Sequence, residues 1–390
     1  MREVQRRKSS TDRLKPIFIS AFAYDNGHSG IAEYIRQICL HLSKFSDITI
    51  AVTAQEKSLL KKHLRGNSHL QIRYITAPSY CNTPLGSIFW HTVILPLFTP
   101  WKNYRCIILP AANRRLFCFY PLLTIATVHD LAQYHVDCKY DWKRNYYVKR
   151  LLPKLIKGVD QIIAVSHSSR RDLERYWHID SEKIQVAYNG YDQLRFRDRS
   201  PENMLQVKNK YKLKKAFILY VARIEHPGKN HVKLIEAYER LPQAIQQHYD
   251  LVFAGSPWLN AEVVTTKVAN SLIRENIKLL GFVAADELPA LYHLCSLHVM
   301  PSLYEGFGIP IVEAFACGTP TICSANSSLS EIGGDAVLTF DPLDTDNISA
   351  TIRRVLQDPQ QRHIMITKGL QRCALFDWRH HTDKILKLIH

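Results

Sequence analysis

No apolar run in this 390-residue chain reaches the roughly 20 residues that a membrane-spanning helix needs. The longest, about Pro84 to Phe98, is shorter and contains His91. The opening stretch, Met1 to Lys15, is polar and basic and lacks the apolar core of a secretion signal. The nine cysteines include no Cys-x-x-Cys pair and no zinc-ligand spacing. That argues against a disulfide framework or a structural zinc site, and for a reducing, cytoplasmic setting. Short-period repeats and low-complexity segments are missing too, which excludes solenoids and fibrous arrays. Asp344 and Asp346 have the spacing of a metal–diphosphate clasp, but they follow Asp341-Pro342 at an expected helix start. Helix capping explains them more economically, and no metal site is expected.

Acidic residues are scarce in one half. Residues 1–200 hold 31 Lys and Arg against 16 Asp and Glu, whereas residues 201–390 hold 20 against 19. Nearly all of the +16 net charge therefore lies in the first half, which points to an anionic partner there. The densest part, Lys139 to Lys157, mixes bases with Tyr140, Trp142, Tyr146 and Tyr147 and then turns aliphatic. That pattern fits a peripheral contact with an anionic membrane on its cytoplasmic face. It fits equally a solvated helix packing its Leu and Ile inward, and Pro153 interrupts any long regular helix. No motif for nucleic-acid binding accompanies the charge, so nucleic acid is not an expected partner.

The composition, 46% hydrophobic and 22% charged, is that of a globular protein with real cores. Strand-like runs recur at 16–21, 48–52, 71–75, 106–109, 124–128 and 161–165, with helical stretches between several of them. A second series follows at 217–222, 251–254, 277–280, 297–301 and 319–323. This alternation predicts an α/β chain of two doubly wound, Rossmann-like domains, at 16–195 and 205–370, after a basic lead at 1–15. A linker is expected near 195–205, within the polar segment Asp192 to Lys210. Ligands of such sheets bind outside the C-terminal strand ends.

The most informative run is Met300 to Gly318, with Glu305 and Glu313 eight positions apart. It reads as a strand end, a loop Gly306-Phe307-Gly308, and a short helix with Pro310 in its first turn and Gly318 at its stop. Such a helix start attracts anions. A phosphate there, flanked by two hydroxyl-reading carboxylates, suggests a sugar nucleotide. Taken alone, Glu313 fits a partner of the helix dipole just as well. Arg223 and Lys229 flank the loop after the first strand of the second series and offer a fork and a point charge to a diphosphate. An isolated pair of this spacing is more often a solvated loop. Asn230 is placed to cap the following helix. His129 closes the strand Thr124–Val128, where a His either meets substrate or is satisfied by its neighbours.

The run Glu305-Gly-Phe-Gly-Ile-Pro310 followed by Glu313 resembles the Glu-x7-Glu signature of retaining family 4 glycosyltransferases, which have the GT-B fold. The resemblance spans roughly residues 16–385 and is strongest over 217–340. It implies two domains facing a central cleft, the first for the acceptor and the second for a nucleotide sugar. A terminal helix at 371–390, with Phe376-Asp-Trp378, is implied to return to the first domain. Arg223 and Lys229 are implied to bind the donor diphosphate, and Glu305, Gly306, Phe307 and Gly308 the sugar and phosphate. Glu313 is implied to bind the ribose, and Phe282 and Val283 lie where the backbone meets the base. His129 is implied to approach the sugar, with Asp130 orienting it. Gly30 alone matches the family's glycine loop, in Gly27-His-Ser-Gly30. Ser166-His-Ser-Ser169 and Asn189-Gly-Tyr-Asp192 also match and read as structural.

The expected activity is metal-independent transfer of a hexose from a GDP- or UDP-sugar, with retention and without a cofactor. The expected acceptor is a glycan or lipid-linked sugar in assembly of a bacterial surface polysaccharide or lipopolysaccharide. The competing readings are a nucleotide-sugar epimerase of the same fold, a basic nucleic-acid-binding protein and a non-catalytic scaffold. A phosphorylase would need a pyridoxal lysine context that the sequence does not display.

Overall fold

The computed structural model describes residues 15–27, 29–64, 71–136, 142–197 and 199–389. Among these residues, one parallel sheet is formed by Ile17–Ser20, Ile48–Thr53, Ile72–Ala77, Ile107–Leu109, Thr124–Val128, Gln161–Ala164 and Ile184–Val186 (β1 to β7). A second is formed by Ala216–Val221, Tyr249–Ala254, Ile277–Leu279, Leu297–Met300, Thr321–Ser324 and Val337–Phe340 (β8 to β13). The strand orders are β3-β2-β1-β4-β5-β6-β7 and β10-β9-β8-β11-β12-β13. These are the two doubly wound domains of a GT-B fold. Helices cover both faces, so inner strands such as β5 and β11 are buried along their whole length, and mostly apolar residues fill them, interrupted only by Thr124, Thr127 and His298.

Each order reverses next to the strand that opens its domain, between β1 and β4 and between β8 and β11. This is the switch point beyond which such sheets bind ligands. It brings four loops to the cleft, those after β1, β4, β8 and β11.

Two strands were not expected, β7 and β13. Both are edge strands of three or four residues, and Gln185 and Thr339 interrupt their apolar character. The expected linker also differs. Its residues form helices Gln193–Arg197 and Pro201–Lys210, which bury Phe196 and Val207 in the second domain's core. The basic segment's described part is a chain of short helical pieces from Trp142 to Gly158, with a π turn at Tyr147–Leu151 just ahead of Pro153. Its first residues, Lys139 to Asp141, lie outside the described residues. The final helix, Trp378–Ile389, sets Trp378, Ile385 and Ile389 into the first domain's core. Tyr34 ties it down by hydrogen-bonding His381 Nε2 at 2.7 Å. Among the described residues no helix is long and apolar enough to cross a membrane.

Candidate functional site

The loop after β11 turns into helix Ile309–Ala316 through Gly308, whose φ of 103° is strained for any residue with a side chain. Pro310 occupies the first turn, and Gly318 follows the helix end at φ 68°. The loop is pinned from the next strand's end. Ser327 Oγ accepts the Glu305 N–H at 3.1 Å, and the Ser328 hydroxyl lies 2.9 Å from the carbonyls of both Glu305 and Phe307. Glu305 is thus held at the cleft by its backbone, leaving the side chain to other work.

That side chain meets Lys229. Lys229 Nζ donates to Glu305 Oε1 at 2.6 Å, with both side chains largely buried. The loop after β8 is braced for this. The Tyr220 hydroxyl donates to the Lys229 carbonyl at 2.9 Å, and the Leu303 N–H donates to the Gly228 carbonyl at 2.9 Å. Contrary to the expectation, Asn230 does not cap the helix His231–Glu239 through its side chain. Its amide instead donates to the Pro301 and Pro342 carbonyls, at 3.0 and 2.8 Å, and ties three loops together. Arg223 leaves the same loop over the Trp258 ring, 4.5 Å from its centre. Its Nη2 lies 3.5 Å from Asp25 Oδ2 in the first domain, and Arg114 Nη1 lies 4.0 Å from the same oxygen.

Glu313 sits in the second turn of its helix and accepts a hydrogen bond from the Tyr292 hydroxyl at 2.9 Å. Burial pushes its carboxyl up to about 7, although Tyr292 and Arg195 pull the other way. Phe282 is 64% exposed, while Val283 is turned into the second domain's core. Gly30 opens the first helix with free space around it, capped by Ser29, and His28 beside it lies outside the described residues.

His129 is buried, and burial holds its imidazole down at about 4, so it is neutral near pH 7. Its Nε2–H donates to the Pro110 carbonyl at 2.7 Å. That carbonyl orients the ring. Asp130 does not, since its carboxylate accepts the Ala132 N–H at 3.2 Å.

Gly306 connects the two halves. A Cβ on it would lie 1.9 Å from the His129 carbonyl oxygen, so only glycine allows this approach. The Ser166 hydroxyl donates to the Gly306 carbonyl at 2.7 Å, and Ser169 Oγ lies 2.9 Å from the His129 carbonyl and 3.2 Å from that of Gly306. Glu331 reaches from the second domain to the start of helix His167–Trp177, accepting the His167 and Ser168 N–H groups at 2.7 and 3.0 Å. Tyr304 hydrogen-bonds Asp172 and stacks on His135 with ring centres 4.2 Å apart. Ser166, in a run that reads as structural in the sequence, caps the helix His167–Trp177, and the same hydroxyl locks the domains, which no local pattern announces. No sequence signal marks Glu331, Asp172 or His135 for this task.

A cavity of about 290 Å3 opens in the first domain, lined among others by Phe22, Asp25, Glu56, Ser87, Arg114 and Arg115. Asp25 thus faces both the cavity and Arg223. Among the described residues no group of three or more His, Cys, Asp and Glu is placed to hold a metal. Asp344 caps its helix by accepting the Asp346 and Asn347 N–H groups at 2.9 and 3.0 Å.

Residues 202–372 match the family model of glycosyl transferases group 1, and residues 103–194 match that of glycosyltransferase family 4. The chain is similar to the O-antigen chain mannosyltransferase B of Escherichia coli, at 34% identity over 67% of this chain and 68% of that protein. It is similar also to the serotype-specific mannosyltransferase WbdA of Escherichia coli, 31% identical over 73% of this chain. That match spans 35% of the longer WbdA chain. The fold is like that of Anabaena HepE crystallised with UDP and glucose, with a TM-score of 0.73 at 18% identity, over 96% of this chain and 98% of that one.

Proposed function

The chain belongs to the group 1 glycosyl transferases, and from that premise we propose that it moves a hexose from a nucleotide diphosphate sugar to a glycan or lipid-linked acceptor in assembly of a bacterial surface polysaccharide. Mannose is the first choice of sugar, because both relatives described above are named mannosyltransferases. The observation that carries the reading is the Lys229–Glu305 pair at 2.6 Å, set before a helix start on a loop that Gly306 brings against the other domain.

The arrangement supports a division of labour. Lys229, Arg223 and the positive end of helix Ile309–Ala316 would take the charge that grows on the departing diphosphate. When phosphate claims Lys229, Glu305 is released to accept hydroxyls of the sugar. Glu313, whose ionised form is favoured once ribose hydroxyls donate hydrogen bonds to it, would hold the ribose. His129, neutral and with its ring fixed by Pro110, would position the sugar. The 290 Å3 cavity beside Asp25 is the natural seat of the acceptor. The family's retaining course has the acceptor hydroxyl attack on the face that the diphosphate leaves, giving its proton to a diphosphate oxygen. Cations of the chain itself would balance the leaving charge, so turnover is expected to survive EDTA.

The test is initial-rate turnover of GDP-mannose, UDP-glucose and UDP-N-acetylglucosamine with extracted polysaccharide acceptors, with and without EDTA. The anomeric configuration of the product is read by NMR. One donor is expected to be used, with a retained anomer. An inverted product, or sugar conversion without any acceptor, would overturn the proposal.

A further inference from the structure

Two neighbouring segments of the first domain carry no acidic residue and expose large apolar side chains. The sequence has no Asp or Glu between Glu56 and Asp130, or between Asp141 and Asp160. From Tyr74 to Trp101 it has no Lys or Arg either. The first segment runs through helix Pro84–Phe89, a π turn Trp90–Ile94 and the short helix Leu95–Phe98. It buries Trp90 and Leu95 in the core and leaves Leu85 81%, Phe89 56%, Leu97 57% and Phe98 77% exposed. The second segment, Trp142 to Gly158, buries Val148, Leu152 and Ile156 in the same core and leaves Trp142 73% and Tyr146 65% exposed. The segments meet where Tyr147 stands beside Thr92 and Arg115.

Single exposed apolar side chains are ordinary, but six large ones on two adjoining segments are not. The partner must be apolar where the first segment faces it. It must be anionic where the second carries Lys143, Arg144, Lys149, Arg150, Lys154 and Lys157. Nucleic acid fails the first condition, since the uncharged stretch from Tyr74 to Trp101 offers phosphates no cation. A second copy fails the other, because pairing this face with itself sets cations against cations. Anionic lipid meets both, with apolar side chains at the headgroup boundary and Lys and Arg on the phosphates.

We propose that this face docks the protein on an anionic bilayer, with Leu85, Phe89, Leu97, Phe98 and Trp142 inserted and the basic segment laid on the headgroups. Helix Pro84–Phe89 also supplies Ser87 to the wall of the 290 Å3 cavity. Docking therefore sets that cavity at the membrane surface, where it would receive an acceptor sugar whose lipid stays in the bilayer. That step rests on the transferase reading, whereas the docking does not.

The test is co-sedimentation of the full chain with vesicles of phosphatidylcholine alone or with about a quarter phosphatidylglycerol, at low and high salt. Anionic vesicles are expected to bind at least about tenfold more tightly, with salt weakening the binding. Phe98→Ser with Trp142→Ser should weaken it about tenfold or more. Lys149→Ala with Arg150→Ala should weaken it roughly thirtyfold on anionic vesicles and little on neutral ones. Both variants should keep the wild-type melting temperature and nucleotide-induced stabilisation, which shows that they are folded. Absence of binding, or equal binding by the folded variants, overturns the proposal. So does a dimer seen by light scattering that Phe98→Ser with Trp142→Ser abolishes, since the face would then join two copies. Vesicle binding without any nucleotide effect would leave the docking intact and remove the transferase reading instead.

Discussion

Replacing Lys229 by alanine separates what its ammonium does for the empty protein from what it does for the reaction. In the empty site the ammonium neutralises Glu305 across 2.6 Å, and the two side chains keep only 21% and 16% of their exposure. A charge-assisted hydrogen bond in such surroundings contributes about 2 kcal/mol. Lys229→Ala should therefore lower the second domain's stability by about that much, a few degrees in melting temperature. Much of the loss comes from the carboxylate left behind. Lys229→Ala with Glu305→Gln should recover most of it, because a neutral amide needs no counter-charge. Turnover should behave differently. With the cation gone, the leaving diphosphate loses a preorganised partner, which typically costs ~100- to 1000-fold in rate. The second substitution cannot restore that. The assay is a double-mutant cycle read twice, once by calorimetry and once by initial rates with the preferred donor. Turnover of Lys229→Ala within a few-fold of wild type would refute the catalytic role. A double variant no more stable than Lys229→Ala would refute the account of the pair.

Two further predictions follow from the same geometry. Glu313 has its carboxyl raised by burial from 4.5 to about 7, so the fold favours the protonated form. Its contribution is complete below pH 4.5 and is lost as pH rises through 7, a change of ~3 kcal/mol. The melting temperature of wild type relative to Glu313→Gln should therefore fall between pH 5 and 8, and a flat difference would count against the burial argument. Donor binding by the ionised form should strengthen over the same range in wild type only. Gly306→Ala drives a methyl to within 1.9 Å of the His129 carbonyl oxygen, so the domains must part. Measured by initial rates, kcat should fall ~100-fold from misplacement of the two halves. Unchanged kcat would show that this contact does not set the reacting geometry.

The parts of this architecture that were legible in the sequence share one property, that local composition alone decides them. Inner parallel strands such as β5 and β11 are buried on both faces and predominantly apolar, and Gly308, Pro310 and Gly318 mark the helix between β11 and β12 by backbone preference. The edge strands β7 and β13 escaped because one face of each is not buried and their runs are short. The segment around Phe196 and Val207 looked like a linker because it is polar and 8 of the 19 residues from Asp192 to Lys210 are charged. Two apolar anchors suffice to fold it onto the core, a matter of tertiary position that charge density does not report. Within the candidate site, the side chains proposed to meet the donor carried motif signals. The side chains that join the domains did not, because Glu331 and Asp172 are ordinary helix residues until the partner domain arrives.

The contacts between the domains are unequal in strength, and that inequality bears on how a donor enters. Around Gly306 the halves are held by hydrogen bonds from Ser166 and Ser169 to the Gly306 carbonyl and by a carboxylate on a helix start. Across the cleft mouth, Asp25 reaches Arg223 only at 3.5 Å and Arg114 at 4.0 Å, with side chains 28–38% exposed. Pairs of that kind contribute about 0–1 kcal/mol, so exchanging Asp25 for a diphosphate costs the fold little. The incoming phosphates also exceed the carboxylate in charge, which favours the exchange. The glycine-side contacts can then persist as a pivot while the arginine side opens. Asp25, once displaced from Arg223, would still line the cavity proposed for the acceptor. On the proposed reading one carboxylate would thereby couple the two ligand seats, since it would leave Arg223 only when the donor arrives and would then face the acceptor beside Arg114.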